Sequence, residues 1–465
     1  MRRRLALCLA TVLVASVLGA LTPTSAVAGD DDPAVRPELD DIFNGYVVGA
    51  LSGASAGSPD EIFSALLPDD PFYDEPRLTG RERPGKLLKF KPVDVMFLGI
   101  KPANLEAWKL MYTTTGQHGE KGEISTGILM IPQDGRSNAS RPVIAYQEAN
   151  DSVGPYCHPS TQWTGGDPLD GSLWSALGPL AQMFDAGAAV MISDVGNDGD
   201  PAPHGVFGGR FAGAALLDGV RAAMRLGTKK RGLRSDPLDR KAPIGSFGIA
   251  GGGVGAGFAA EMARTYAPRL NIRATVLEGM VVDMENFLRT SDGTIGSGFG
   301  FATLLGLEKW YPEWDLDSRL NLVGRTIAKV WRTQCQTPAY FTLPLVPLSL
   351  LFKDGVAPAD NSLFARAFDE ALLGRPGKNP RKAASPPQRR NRILISSCAK
   401  DDSPMSLVPA KDARDLARRY RRAGARVTYA PTDCSMERFV TDLYGWGTDL
   451  FGMQTIPWLF ERMRR

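Results

Sequence analysis

Residues 245–268 read GSFGIAGGGVGAGFAAEMARTYAP. A short run containing Phe247 and Ile249 enters a crowd of glycines, and an alanine-rich helical pattern leaves it. Two kinds of strand-to-helix turn have this form. In a Rossmann-type phosphate loop, G-x-G-x-x-G/A lets the backbone approach a pyrophosphate at a helix N-terminus. Gly251, Gly253 and Ala256 fit that spacing, and Glu278, ending the next apolar run, could take a ribose hydroxyl. In the other kind, G-x-S-x-G, a strained corner carries a nucleophilic serine between flanking glycines. Gly248-Ile249-Ala250-Gly251-Gly252 fits that frame, with alanine where the serine belongs. Neither match is specific alone, so the surrounding chain has to decide.

Working outward, short apolar runs ending in polar loops recur at 141–149, 187–196 and 272–280, as buried parallel strands do. Alternating patterns at 107–115 and 124–132 precede them, and 212–226 has helical spacing. After residue 391 the rhythm resumes with strands at 392–398 and 425–430, a helix at 409–423 and a final helix, TIPWLFERMRR. This alternation predicts an α/β fold with a doubly wound, mostly parallel sheet. Residues 281–372 break the rhythm with aromatic and leucine-rich helical segments, an insertion placed where a helical cap would cover the sheet's C-terminal edge. The expected layout is a core of 67–280 and 392–465, with 281–391 as the cap and a basic, proline-rich loop. Residues 374–392 of that loop carry seven basic side chains and no acidic one, which suits either a solvated loop or contact with an anionic envelope surface.

The N-terminus has three arginines, an apolar stretch from Leu5 to about Leu21, and small residues at Ala26 and Ala28. This is a signal-peptide layout, with cleavage expected after about Ala28 and a loose lead-in over 29–66. An uncleaved anchor is the other reading of this segment. Without the three arginines, the remaining 51 basic side chains balance 51 acidic ones, so the charge gives no footprint for nucleic acid. The mature chain keeps Cys157, Cys335, Cys398 and Cys434. In an exported protein this even count suggests two disulfides among three possible pairings. No CxxC or HxxxH spacing occurs, so no metal and no cofactor are expected.

Several longer stretches resemble one family. DPFYDEP (70–76), YQEANDSVGPYCHPS (146–160), SDVGNDGD (193–200), GIAGGGVGAGFAAEMARTYAPRLN (248–271), LEGMVVDMENFL (277–288) and GLEKWYPEWDLDSRLN (306–321) are similar to the secretory lipases. The resemblance covers roughly residues 67–465. It implies an α/β-hydrolase core with a cap, and triacylglycerol lipase activity on lipid esters. Carried over residue by residue, however, it leaves the catalytic machinery incomplete. The nucleophile position falls on Ala250, and the acid position on Asp401 or Asp402 in CAKDDSP. The histidine position falls near Glu437, and the three histidines, His118, His158 and His204, all precede the turn. The resemblance retains the oxyanion position as Asp151 with the Gly251 N–H. It also suggests a Cys157–Cys335 bridge between core and cap. Cys398 and Cys434 end neighbouring strands, so a second bridge there would lie across the old acid–base position.

Three functions therefore stand open. A lipase-like scaffold that binds an acyl chain or envelope lipid without hydrolysis leads. The second is an active lipase or esterase with relocated residues, such as a Ser152–His204 pair, since Ser246 is expected to be buried in its strand. The plain reading of His204 is a solvent-facing loop histidine. A dinucleotide-dependent oxidoreductase using residues 251–256 is third.

Overall fold

The computed structural model describes residues 53–61, 70–97, 99–149, 152–167, 170–227, 236–335, 343–375, 387–403 and 407–464. The proposed signal peptide, most of the lead-in, and the middle of the basic loop fall outside these residues, as does Asp151.

Nine strands form one mixed sheet. In chain order they are β1 (Leu87–Val93), β2 (Leu105–Thr115), β3 (Lys121–Pro132), β4 (Val143–Gln147), β5 (Ala189–Ser193), β6 (Ile244–Ile249), β7 (Ile272–Glu278), β8 (Arg392–Cys398) and β9 (Arg426–Thr432). Across the sheet the order is β9-β8-β7-β6-β4-β5-β3-β2-β1. The six strands from β4 to β9 pair in parallel, whereas β1, β2 and β3 are joined antiparallel to one another and to β5. Strands β4, β5 and β6 are buried along their whole length. Their near-continuous apolar sequences are what two-sided burial demands.

Helices cover both faces. On one lie α1 (Gly171–Asp185) and α11 (Ile456–Arg464), which share a core with Ile144, Phe247 and Val276. On the other lie α2 (Gly209–Leu226) and α3 (Gly251–Tyr266), packed together through a glycine face: a Cβ on Gly213 would lie 2.7 Å from the Ala259 nitrogen. Between β7 and β8 come α4 (Met284–Ser291), α5 (Ser297–Glu308), α6 (Leu322–Trp331) and α7 (Ala365–Ala371). Phe301, Trp314 and Phe364 from this insertion belong to the same buried cluster as Leu216 and Val254 of α2 and α3. The insertion is therefore fused to the core rather than hinged beside it. After β8 follow α8 (Ala410–Arg422), α9 (Met436–Thr441) and α10 (Leu443–Leu450). No helix among the described residues is long and apolar enough to cross a membrane.

Two disulfides hold the periphery. Cys157–Cys335 ties the segment after β4 to the segment that follows α6, with Cα atoms 5.0 Å apart. Cys398–Cys434 joins the ends of β8 and β9, with Cα atoms 5.3 Å apart.

Candidate functional site

The site grows from the turn between β6 and α3. Ala250 has φ 50° and ψ −123°, the corner of a type II′ turn that glycine normally takes. Its N–H donates to the Glu278 carbonyl at 2.9 Å, and its own carbonyl accepts from the Gly253 N–H at 3.0 Å. These bonds pin the corner to β7 on one side and start the helix on the other. The glycines after it are required by crowding. A Cβ on Gly252 would lie 2.1 Å from the Glu148 carbonyl oxygen, and one on Gly253 would lie 2.2 Å from the Met280 Cβ. This is the strand–corner–helix geometry of a nucleophile elbow. The Ala250 side chain at its apex is a methyl group.

That methyl faces a cavity of about 220 Å³. Its walls come from the sheet edge and from the insertion: Phe207, Val281, Phe287, Phe299, Leu407 and Phe451. Gly251 also lines it, and like every first-turn amide its N–H has no acceptor within its own helix. The polar side chains in the lining are Ser175 and Ser397. The Ser175 hydroxyl donates to the Ser172 carbonyl at 2.8 Å. The Ser397 hydroxyl has the Cys398 carbonyl at 3.5 Å. Among the described residues the lining contains no Asp, Glu, His, Lys or Arg. Among the described residues the lining is mainly apolar, carries two hydroxyl groups and offers no base to activate a hydroxyl.

The residues expected at the acid and histidine positions serve other ends. Asp401 is exposed, and its Oδ1 accepts the Ala410 N–H at 2.7 Å, capping α8. Asp402 is exposed, and its carbonyl accepts the Met436 N–H at 3.2 Å. Glu437 is exposed in the first turn of α9. Cys398, beside them in the chain, reaches the cavity wall through its bridge to Cys434.

Behind the corner sit two buried carboxyl groups. Glu148 accepts the Trp163 Nε1–H at 2.6 Å, and burial pushes its pKa up to about 8. Glu278 is also held well above the carboxylate range by burial, and the Asp449 carboxylate further disfavours its ionisation. Both are buried at strand ends and neither lines the cavity. Glu278 is thus enclosed beneath β8 and is not free to hold a ribose, which removes the acidic partner of the dinucleotide reading.

The histidines gather elsewhere. His158 stacks on His204 with ring centroids 3.8 Å apart. His158 has Asp198 Oδ1 2.7 Å from Nδ1 and the Ser152 carbonyl 3.0 Å from Nε2, so two acceptors meet its two ring nitrogens and favour the imidazolium. Burial opposes that charge, but these hydrogen bonds and Asp198 raise its pKa on balance. His204 is only 2% exposed, correcting the expectation of a solvent-facing loop residue. Burial and the neighbouring His158 cation hold its pKa well below normal. Its N–H donates to the Val153 carbonyl, so the two loops do meet, as the relocated-pair reading requires. Yet Ser152, His158 and His204 all lie outside the cavity lining. Ser246 is buried in β6. His158, Asp198 and His204 are also the one trio of potential metal ligands grouped among the described residues. Sequence spacing gave no sign of it, because residues 158, 198 and 204 are united only by tertiary packing. His158 bonds to Asp198 through both its backbone N–H and its ring. His118 lies apart, with Nε2 2.9 Å from the Trp310 carbonyl.

Fold and corner together define an α/β-hydrolase whose elbow ends in a methyl group. The chain belongs to the secretory lipase family, whose model matches residues 177–464. Among curated relatives, a protein named "Probable inactive lipase" from Mycobacterium tuberculosis is 32% identical over 257 residues, 53% of each chain. The match thus spans about half that relative's length. A secreted triacylglycerol lipase of Malassezia furfur is 24% identical over 384 residues, covering 81% of this chain and 73% of its own. Candida antarctica lipase A in its closed state shares the fold, with a TM-score of 0.66 and 21% identity over 86% of this chain and 88% of that one. The cell-wall-degrading esterase LipA of Xanthomonas oryzae has a TM-score of 0.61 at 17% identity, covering 82% and 100%.

Proposed function

We propose that this protein is an exported, non-hydrolytic member of its family that binds an acyl chain or envelope lipid in the cavity above Ala250. The observation that carries the reading is the pairing of an elbow-shaped corner with a side chain that has no nucleophilic atom. A lining without ionisable side chains among the described residues supports it, as does the placement of His158 and His204 in a separate buried cluster. Without a nucleophile and base, residual acceleration from backbone donors and binding is of the order of 10³–10⁴ over water, too slow for turnover of an ester. What the fold retains is the part of lipase chemistry that encloses a hydrocarbon chain. Export is supported by the signal-peptide layout, two disulfides and the secreted relatives.

The test measures saturable binding of dodecanoic acid by the purified protein, alongside hydrolysis of p-nitrophenyl esters of short and long chains. Binding without turnover is expected. Turnover abolished by Ser152→Ala would instead place a working nucleophile on the 152–158 loop.

A further inference from the structure

Three side chains with metal-ligand chemistry meet between the loop after β4 and the loop after β5. They are His158, Asp198 and His204, and one donor atom from each lies within 4.8 Å of the other two. All three are buried, with exposures of 2% or less. Neither ring nitrogen of His204, nor Oδ2 of Asp198, has a hydrogen-bond partner among the described residues. The backbone of Asp194 and Asn197 lies near the His204 ring and offsets only part of its burial. A buried polar atom left unpaired costs about 1–3 kcal/mol, and a bound ion is one of the reasons a fold tolerates it.

The remaining atoms of these groups are held in place. Asp198 Oδ1 accepts the Cys157 N–H at 3.1 Å and the His158 N–H at 3.2 Å, which fixes the carboxylate and leaves Oδ2 over. His158 Nε2 lies 3.0 Å from the Ser152 carbonyl. An outer acceptor of this kind sets the tautomer of a metal-bound histidine, and here it leaves Nδ1 as the donor to the ion. Nδ1 already sits 2.7 Å from Asp198 Oδ1. The rings of His158 and His204 stack within 14° of parallel, so their lone pairs do not converge as they stand. The His204 ring carries no hydrogen bond at either nitrogen, so turning it about χ2, a torsion with broad wells, breaks none. Coordination thus costs the stack and the proton on His158 Nδ1, which leaves to solvent as the ion takes its place. Asp194 is also buried, and its charge opposes that of Asp198, a repulsion that a divalent cation relieves.

We propose that His158, Asp198 and His204 hold a divalent first-row metal ion of the zinc type, which locks the loop after β4 to the loop after β5. Two imidazoles and one carboxylate are the nitrogen and oxygen donors such ions take, whereas calcium and magnesium favour shells of oxygen. The site stands apart from the cavity and does not depend on the acyl-binding reading.

The test is elemental analysis of the full chain, produced without a histidine tag in medium supplemented with zinc or with cobalt and then desalted. One ion per chain is expected, and the cobalt form should absorb visible light more strongly than aqueous cobalt. His204→Phe keeps a buried aromatic ring but removes both nitrogens, and is expected to lower retained metal by about tenfold or more. Asp198→Asn keeps an oxygen for the two N–H groups while removing the charge, and is expected to act in the same direction. His118→Phe, away from the cluster, is expected to keep the full complement. A wild type that retains no metal would overturn the proposal. So would His204→Phe or Asp198→Asn variants that retain as much as the wild type, or loss of the ion from His118→Phe. Should the two cluster variants fail to fold, the wild type decides: zinc is expected to raise its melting temperature by a few degrees over chelator-treated protein. Identical melting with and without zinc would overturn the proposal as well.

Discussion

At Ala250 the backbone is strained and the side chain is inert. An alanine at φ 50° and ψ −123° occupies a region costly by about 1–3 kcal/mol for a residue with a Cβ. With a serine at the corner that strain exposes a nucleophile; here it exposes a methyl group. Ala250→Gly should therefore leave the fold intact and raise the unfolding free energy by about 1 kcal/mol, after allowing for the greater freedom of glycine in the unfolded chain. Urea melts of the two proteins read this directly, and a clear loss of stability would mean that the methyl does more by packing than it costs by strain. Ala250→Ser alone is expected to restore no measurable p-nitrophenyl esterase activity, since among the described residues no side chain in the lining can take the hydroxyl proton. Adding Glu437→His asks whether the end of the β9 loop can supply that base, and any gain over the single variant would show that it can.

At the scale of elements, the β6–corner–α3 unit depends on close approach. Gly252 meets backbone oxygens of Gln147 and Glu148 that cannot retreat without moving β4. Gly252→Ala should destabilise by about 3 kcal/mol or more and distort the cavity floor, measurable as a lowered urea midpoint with unchanged slope. This unit was also the most legible part of the chain. Glycine punctuation, an apolar strand and an alanine-rich helix are local signals, and the parallel strands β4 and β5 read as short, nearly continuous apolar runs. The edge strand β1 escaped notice because LLKFKPV has a proline and alternates only weakly. Helix α1 escaped as well: Gly171, Gly178 and Pro179 interrupt a segment that tertiary packing nevertheless holds helical. The His158–Asp198–His204 cluster could not be read at all, since it is assembled from loops after β4 and β5 that share no spacing. Phe287 and Phe299 were visible as insertion aromatics but could not be assigned to a cavity wall without the fold.

Across the whole molecule, buried carboxyl groups give stability a common pH sign. Burial raises Glu148 to about 8, Glu261 to about 7 and Asp218 to about 6, and also raises Glu278 well above the carboxylate range. Each keeps its proton when folded at a pH where the unfolded chain has lost it. Unfolding then releases protons, so stability falls as pH rises from the ordinary carboxyl range through each raised value. His158, also raised, contributes stability that is present below its unfolded pKa and lost as pH climbs through the folded one. His204, lowered, acts oppositely and weakens the fold as pH drops below the normal histidine range. The carboxyl terms are more numerous, so thermal melting should occur at a higher temperature near about pH 5.5 than near about pH 8.5, and Glu148→Gln should flatten that slope. A higher melting temperature on the alkaline side would contradict this assignment.

The central proposal is that this family member holds an acyl chain and does not cut it. The most direct measurement is calorimetric titration of the purified wild type with dodecanoic acid, paired with p-nitrophenyl dodecanoate hydrolysis on the same preparation. The account predicts saturable binding at one site, and ester turnover no different from that of a Ser175→Ala/Ser397→Ala variant. Serine-dependent turnover, or no binding at all, would contradict it.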